Sequence, residues 1–205
     1  MNRIFSYLDE LYNDPKCELY FNNDFEFLIA VVLSAQTTDK KVNKVTRDLF
    51  KKYDITTLKD ADIKEIEIIL KPIGIAHNKA KYIIEISREL YYKYNSVVPD
   101  NFLELTKLSG VGRKSANLVL STIYNKPLIA VDTHVSRVSK RLGIALKKDS
   151  LLTVEKKLYK VIPKNRLLKT HHQLVLFGRY RCKAIKPMCK NCKLNNICKY
   201  EKRNV

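Results

Sequence analysis

Lys114 and Asp132 are the residues whose types and spacing most directly suggest chemistry. They lie eighteen positions apart in the segment from Leu105 to Arg137. A deprotonated lysine amine is a nucleophile, and a carboxylate can accept a proton or stabilise positive charge during such a reaction. A free lysine, with a pKa of about 10.4, is almost fully protonated at neutral pH. Burial, nearby cations and a helix N-terminus would lower that pKa. A purely structural role for Asp132, as a helix N-cap, is the alternative.

A glycine-bracketed turn directly precedes the lysine. Glycine accepts positive φ angles and allows another backbone to approach closely. Such a turn at the start of a helix presents unpaired N–H groups, which favour a phosphate oxygen. An ordinary helix–turn–helix corner without a ligand is the alternative. The pattern predicts a clamp on a nucleic-acid backbone, formed by Gly110, Val111, Gly112 and Arg113.

Four cysteines near the C-terminus have the spacing of a metal site. Their pattern is C-x6-C-x2-C-x5-C, and a fifth cysteine, Cys17, stands alone and is predicted to be a buried, inert thiol. Tetrahedral thiolates suit either zinc or an iron–sulfur cluster. The two wide gaps exceed those of a simple zinc knuckle, and disulfides are the weakest interpretation. The candidate ligands are Cys182, Cys189, Cys192 and Cys198.

Composition narrows the class of partner. The 205 residues include 39 Lys and Arg against 21 Asp and Glu, which gives a net charge of +18. A polyanion is the natural partner of such a chain, whereas a lysine-rich solvated surface is the alternative. Apolar residues make up 45%, which excludes a disordered protein. The sequence has no apolar run long enough to span a membrane and no signal-peptide pattern, so we expect an intracellular protein of the cytoplasm, associated with the nucleoid.

Apolar residues recur with helical periodicity along nearly the whole chain, and strand signals are nearly absent. The sequence therefore predicts an all-α fold. The segment 25–35 is apolar on almost every side, which favours a helix at the buried centre of a domain. Helices are predicted over 1–13, 25–35, 40–53, 63–70, 76–94, 102–108, 115–124, 132–142, 150–161 and 165–180.

Two motifs are shared with a known family. The first starts at Leu105 and reads Leu-x-x-Leu-Ser-Gly-Val-Gly-Arg-Lys-Ser-Ala-Asn-Leu-Val-Leu, and the second starts at Val131 and reads Val-Asp-Thr-His-Val-x-Arg-Val. Together they resemble the helix-hairpin-helix DNA glycosylases and, within that superfamily, the endonuclease III family. The resemblance extends from about Phe25 to Cys198. One departure is Ser109, where the family usually has proline; serine presets the turn less but removes no reactive group.

The resemblance implies a bifunctional enzyme of base-excision repair that acts on double-stranded DNA. Lys114 would attack C1′ of a nucleotide rotated out of the stack, expel the base and form a Schiff base. A β-elimination would then break the strand 3′ to the abasic site, with Asp132 assisting. Relatives without this lysine lack an efficient lyase step. The usual substrates of this subclass are oxidised, ring-saturated or fragmented pyrimidines.

Further site residues are implied by the resemblance alone. Gln36 would enter the DNA stack and fill the gap left by the flipped nucleotide, and Ile75 would act as an apolar wedge. Asp39 and His134 are candidates for lining the base pocket. The alternatives are that the segment around Gln36 caps the next helix and that Ile75 packs within a loop.

The resemblance also implies the domain organisation and a cofactor. Residues 17–126 would form a six-helix domain with the helix-hairpin-helix motif at about 101–125, and residues 1–16 with 127–205 would form a second helical domain. DNA would lie in a groove between them. One structural [4Fe–4S] cluster would be held by the four cysteines in a loop over 182–198. Lysines of that loop would contact phosphates without reading bases; these are Lys183, Lys186, Lys190 and Lys193.

Two other functions compete with this interpretation. A monofunctional mismatch or adenine glycosylase of the same fold is disfavoured by Lys114 and by the lack of an added C-terminal recognition domain. A non-catalytic helix-hairpin-helix DNA-binding protein with a structural metal is disfavoured because Lys114 and Asp132 occur together. A monomer is the family expectation.

Overall fold

A computed structural model describes residues 1–200, and these residues form helices and loops with no strand. The predicted all-α fold is confirmed. The chain divides into two compact units, one of Met1–Lys16 with the residues from Asn125 onwards and one of Cys17–Tyr124. Within the described residues, no helix has the length and apolar character needed to cross a membrane.

Eleven α-helices make up the described part of the chain. Short 3-10 turns occur at Lys71–Ile73, Lys164–Arg166 and Asn195–Ile197. The helices are α1 (Asn2–Leu11), α2 (Asp24–Leu33), α3 (Asp39–Lys52), α4 (Ile55–Leu58), α5 (Ile63–Leu70), α6 (Ala76–Lys93), α7 (Phe102–Lys107), α8 (Arg113–Ile123), α9 (Thr133–Arg141), α10 (Leu151–Val161) and α11 (Leu167–Tyr180).

Helix α2 forms the centre of the Cys17–Tyr124 unit. It is buried from Phe27 to Leu33, as expected for a helix that is apolar on all sides. The side chain of Asn23 caps its start by accepting from the Glu26 amide at 2.9 Å. Its end differs from the prediction, because the helix stops at Leu33 and Gln36 adopts a left-handed conformation with φ of 58°.

One helix of this unit was not predicted. Helix α4 is a single turn, and its start is fixed by a capping box between Asp54 and Thr57. Hydrogen bonds from the Thr56 hydroxyl and from Thr57 lower the pKa of Asp54 to about 2. Four residues are too few to produce a helical hydrophobic pattern, and only the cap residues signal such a turn in the sequence.

The other unit has its own apolar core, built from α1, α9, α10 and α11. Asp9 of α1 accepts hydrogen bonds from Arg166 and from Gln173, each at 2.9 Å, and thereby ties the N-terminal helix to α11. The Arg166 hydrogen bond holds the pKa of Asp9 well below its usual range. The N-terminal helix is therefore part of this unit through charge as well as through apolar packing.

Candidate active site

The glycine-bracketed turn, Leu108–Val111, is a closed β-turn. The Val111 amide donates to the Leu108 carbonyl at 3.1 Å, and Gly110 has a φ of 74°. With Leu108 at φ −68° and ψ 141° ahead of it, this is the pattern of a type II turn, which needs glycine at its third position. The Val111 side chain is buried and anchors the turn. We call these four residues the hairpin turn.

Gly110 also has no room for a side chain. A Cβ atom built on it would lie 2.7 Å from Cδ2 of Tyr82 and 3.3 Å from Cγ1 of Val32. Gly112 differs, because nothing lies within 4 Å of a Cβ built there. The first glycine is therefore required by both conformation and packing, whereas the second is not required by packing.

Lys114 lies in the first turn of α8 and is half-buried. Gly112 is the N-cap of this helix and contributes no side chain, so the first amides of α8 have no side-chain acceptor from their cap. Lys114 therefore lies at the N-terminus of α8, which is the positive end of the helix dipole. Arg113 is exposed and lies 5.2 Å from the ring centre of Phe102.

Asp132, in the other unit, is the N-cap of α9. Its Oδ1 accepts from the Val135 amide at 2.8 Å, which is the structural role weighed in the sequence. Among residues 1–200, nothing donates a hydrogen bond to its Oδ2. In this half-buried carboxylate, Oδ1 is therefore held by the helix cap, and Oδ2 can accept a further hydrogen bond.

The two pocket candidates have separate surroundings. His134 packs against α11. A Cβ atom built on Gly178 of that helix would lie 3.0 Å from the Cβ atom of His134. Its Nδ1 is 3.2 Å from Nη2 of Arg137. Asp39 occupies the first turn of α3 beside the cap residue Thr38. The structure thus gives His134 a packing role within its unit and places Asp39 at a helix start.

Gln36 and Ile75 share an unusual backbone. Both are non-glycine residues at positive φ, 58° and 50°, and both are exposed. This conformation is strained, most of all for a β-branched side chain such as Ile75. Ile75 is 52% exposed, which argues against the packing alternative. The cap of α3 comes from Thr38, so capping does not account for Gln36.

The four C-terminal cysteines line one cavity of about 30 Å³, which is also lined by Arg141 of α9 and Phe177 of α11. None of the four forms a disulfide within residues 1–200, and all four are half-buried; Cys17 is half-buried too, although a buried thiol was predicted there. Burial raises the pKa of the Cys192 thiol, and the neighbouring cysteines raise it further. Among the described residues, no group of three or more His, Cys, Asp or Glu side chains is arranged to hold a metal ion. The four cysteines are thus grouped around one cavity of this unit.

The lysines of the cysteine loop, residues 182–198, are all exposed. Lys183, Lys186 and Lys190 lie on its outer surface, and Lys186 has a φ of 49°. Lys193 is engaged, because its Nζ lies 2.5 Å from Oε1 of Glu10. Exposed ion pairs contribute little, about 0–1 kcal/mol, so a phosphate could compete for this lysine.

Comparison with known proteins identifies the family. The model of the HhH-GPD superfamily base excision DNA repair proteins matches residues 29–164. Endonuclease III of Bacillus subtilis strain 168 is 47% identical over 196 residues, covering 94% of this chain and 88% of the relative. The chain belongs to the endonuclease III family. The resemblance stated from the two sequence motifs is thereby confirmed.

Solved structures of endonuclease III agree with this assignment over almost the whole fold. A non-covalent endonuclease III–DNA complex is 48% identical with a TM-score of 0.94, covering 97% of this chain and 93% of that one. A trapped covalent endonuclease III–DNA intermediate is 49% identical with a TM-score of 0.90, covering 97% and 95%. Both neighbours hold DNA, one of them through a covalent bond.

Two arginines were missed by the sequence reasoning on this endonuclease III-like chain. Arg141 of α9 donates to the Lys183 carbonyl at 2.7 Å and lies 3.3 Å from the sulfur of Cys182. Arg137, one turn earlier, donates to the Gly178 carbonyl at 2.8 Å. Helix α9 thus carries Asp132 at its start and holds the cysteine loop at its end. The i, i+4 arginine pair was the available signal, but such spacing is also common on solvated helix faces.

Proposed function

We propose that this protein is a bifunctional DNA glycosylase and AP lyase of base-excision repair that acts on oxidised pyrimidines in duplex DNA. The observation that carries the proposal is the position of Lys114, a lone amine in the first turn of α8, directly behind the hairpin turn. The same lysine-bearing motif lies within the family match. The relatives in this family include one trapped as a covalent complex with DNA, which is the behaviour expected of an amine nucleophile.

Lys114 supplies the electron pair that starts the reaction. Its neutral amine attacks C1′ of the damaged nucleotide, the N-glycosidic bond breaks, and the base leaves with the bonding electrons. The sugar ring opens to an iminium, which acidifies the C2′ proton. Loss of that proton breaks the C3′–O bond, so the strand is cut 3′ to the site. Asp132 accepts a proton or stabilises the cationic sugar through the oxygen that the helix cap does not use.

DNA is held by backbone groups and exposed side chains. The amides of Gly110 and Gly112 bind a phosphate, with Arg113 beside them, and the Val111 amide closes the turn by donating to the Leu108 carbonyl. Gln36 fills the gap left by the extruded nucleotide, and Ile75 separates the neighbouring base step. Their exposed, strained backbones support these roles, because such strain is concentrated at functional positions. Asp39 and His134 stay candidates for the base pocket.

A [4Fe–4S] cluster held by the four cysteines fits the cysteine loop. Four cysteine thiolates are the donor set that such a cluster takes, and Cys182, Cys189, Cys192 and Cys198 all line one cavity. Four neighbouring thiols also need positive charge at their centre to ionise together. The group would act as a structural anchor, and the loop lysines would contact phosphates.

The substrate also determines the partner of this protein and its location in the cell. An enzyme of this kind works on double-stranded DNA with a damaged pyrimidine or an abasic site, as a monomer. Its place in the cell is therefore with the DNA, in the cytoplasm of the bacterial type of cell from which the relatives come.

Borohydride trapping tests the proposal. A duplex with one thymine glycol is incubated with wild type, with Lys114→Ala and with Lys107→Ala, an exposed lysine of α7 used as the matched control. Borohydride reduces the iminium to a stable amine, so wild type and Lys107→Ala become covalently attached to DNA. Lys114→Ala should bind the duplex and give no covalent product.

Two results would overturn the proposal. Trapping by Lys114→Ala at the wild-type level would remove Lys114 from the role of nucleophile. Tight binding by wild type with no trapped product and no strand cut would point instead to a monofunctional glycosylase or a non-catalytic DNA-binding protein.

A further inference from the structure

Helix α6 contacts both DNA-binding loops of the Cys17–Tyr124 unit. The contacts come from Lys79, Tyr82 and Glu85, which follow one another at intervals of three residues and so are neighbours on the helix surface. From Lys79 to Glu85 the helix rises about 9 Å. None of the three was singled out by the sequence.

Lys79 holds the first loop, Ile73–Ile75, which we call the wedge loop. Its side chain is 4% exposed, and its Nζ donates to the Ile73 carbonyl at 3.2 Å. Its own amide donates to the Ile75 carbonyl at 3.1 Å. One residue thus binds both ends of a loop in which Gly74 and Ile75 both have positive φ. A buried lysine is costly to retain, and desolvation lowers its pKa.

Tyr82 and Glu85 hold the hairpin turn. The ring of Tyr82 fills the space that a side chain on Gly110 would need. The Ser109 hydroxyl donates to Oε2 of Glu85 at 2.6 Å. Ser109 is the second residue of a type II turn, the position where proline is favoured because its ring fixes φ. In this chain a side-chain hydrogen bond to α6 stands where a ring would otherwise stiffen the turn.

We propose that Lys79 and Glu85 are positioning residues that hold the wedge loop and the hairpin turn at a fixed separation along α6. The inference rests on the proposed function, which assigns both loops to DNA. Lys79 acts through the Ile73 carbonyl and presents Ile75 to the duplex. Glu85 acts through Ser109 and keeps the turn amides aligned on a phosphate.

The Glu85 arm is tested by equilibrium binding to a duplex with a non-cleavable abasic analogue. Glu85→Met removes the acceptor and should weaken binding about tenfold, the worth of one hydrogen bond to a charged group. Ser109→Ala should cost the same, and the double variant should cost no more than either. Glu85→Gln removes the charge but keeps an acceptor, so it should bind as wild type or more tightly. Glu89→Met, one turn further along α6, is the matched control.

The role of Glu85 is tested most sharply in a protein that already carries Ser109→Pro. With the ring in place the turn no longer needs Glu85, so Glu85→Met should have no effect on binding there. The assignment of Glu85 is overturned if Glu85→Met binds like wild type, or if its loss is as large in the Ser109→Pro background as in the wild-type chain.

The Lys79 arm uses a fluorescent readout of insertion. 2-Aminopurine beside the abasic analogue brightens when its base step is opened. Lys79→Met should abolish most of that increase while affinity falls by less than about tenfold, because the hairpin turn is untouched. Lys79→Gln keeps a donor for the Ile73 carbonyl and should recover part of the signal. Lys93→Met, in the last turn of α6, should behave as wild type, and an unchanged signal in Lys79→Met overturns the assignment.

The proposed function can fail separately. If borohydride does not trap the wild-type protein, the proposed enzymatic activity fails, but the DNA-binding and fluorescence experiments on the Glu85 and Lys79 variants can still be interpreted. The positioning role is refuted, and the proposed function is kept, if the wild-type protein is trapped by borohydride while Lys79→Met and Glu85→Met show the duplex binding and fluorescence of the wild type.

Discussion

The hairpin turn and the cysteine loop are both assigned to phosphate binding, but they are held in different ways. The turn is closed by its own backbone and packed by Tyr82, and Leu105, Leu108 and Val111 around it are buried. In residues 182–198 only Leu194 is buried. That loop depends on short backbone turns and on α9, whose Arg137 and Arg141 donate to its carbonyls and to that of Gly178.

The difference suggests that the hairpin turn is preformed, whereas the cysteine loop needs a bound cofactor to become ordered. Buried apolar side chains and a closed turn keep the hairpin ordered by themselves. A loop with almost no core gains its order from whatever binds its four thiols. We therefore expect loss of the cofactor to disorder the cysteine loop and to leave Lys114 and its turn in place.

The largest effect is expected from Cys192→Ser. Loss of one ligand should remove the cluster's visible absorbance and weaken duplex binding by about tenfold or more, because the loop lysines lose their fixed positions. Cys17→Ser is the matched control, since Cys17 lies outside the four-cysteine group. Absorbance and duplex affinity are measured on the same preparations. Normal affinity in a protein without cluster would mean that the loop does not depend on it.

Gly110→Ala tests the other side of the comparison. The new methyl group would meet Tyr82 at 2.7 Å and force a left-handed alanine, so we expect a loss of roughly 2–4 kcal/mol in the free energy of unfolding. Gly112→Ala meets nothing within 4 Å and should cost less than about 1 kcal/mol. Urea unfolding of both variants measures the difference. Equal costs would show that the turn is not held by packing against α6.

The two units should also differ in acid sensitivity. Burial lowers the pKa of His172 in α11 to about 4. Unfolded histidine takes up a proton near pH 6.5, so stability is full above that pH and falls as pH drops towards 4, by roughly 3 kcal/mol at most. His172→Gln should flatten this dependence, whereas His77→Gln, at an exposed position of the Cys17–Tyr124 unit, should leave it unchanged. Unfolding followed from pH 7 to pH 4 provides the measurement, and an unchanged slope in His172→Gln would refute it.

The smallest effect belongs to a single loop lysine. Lys190→Gln should reduce the slope of log binding constant against log salt by about 1 and weaken binding equally for different duplex sequences. Lys44→Gln, an exposed lysine of α3, is the matched control. A change that depends on base sequence would contradict a phosphate contact.

The sequence was sufficient for the fold class and for the chemical candidates. Periodicity predicted ten of the helices because each is long enough to carry an apolar face, whereas the single turn of α4 is not. The motif around Lys114 was readable because it resembles that of the helix-hairpin-helix DNA glycosylases, whereas the glycine pair alone also fits an ordinary helix–turn–helix corner. The sequence offered two roles for Asp132, a helix N-cap and a catalytic carboxylate; the structure shows the cap, and the catalytic role stays a prediction.

The supporting contacts were not readable from the sequence. Glu85, Tyr82 and Lys79 look like ordinary positions of a long helix, and only the folded chain brings Ser109 and Ile73 to them. Arg141 likewise meets the cysteine loop across more than forty residues of sequence. Such contacts depend on tertiary packing, which local pattern does not encode. The strained φ of Gln36 and Ile75 was invisible for the same reason.

Amide hydrogen exchange on the wild-type protein, with the proposed cluster bound and after chelation of its iron, tests the comparison most directly. The account predicts that amides of residues 182–198 lose at least about tenfold of their protection when the cluster is removed. Amides of the hairpin turn and of α8 should keep theirs. Loss of protection in both regions together, or in neither, would contradict a self-supporting hairpin beside a cofactor-dependent loop.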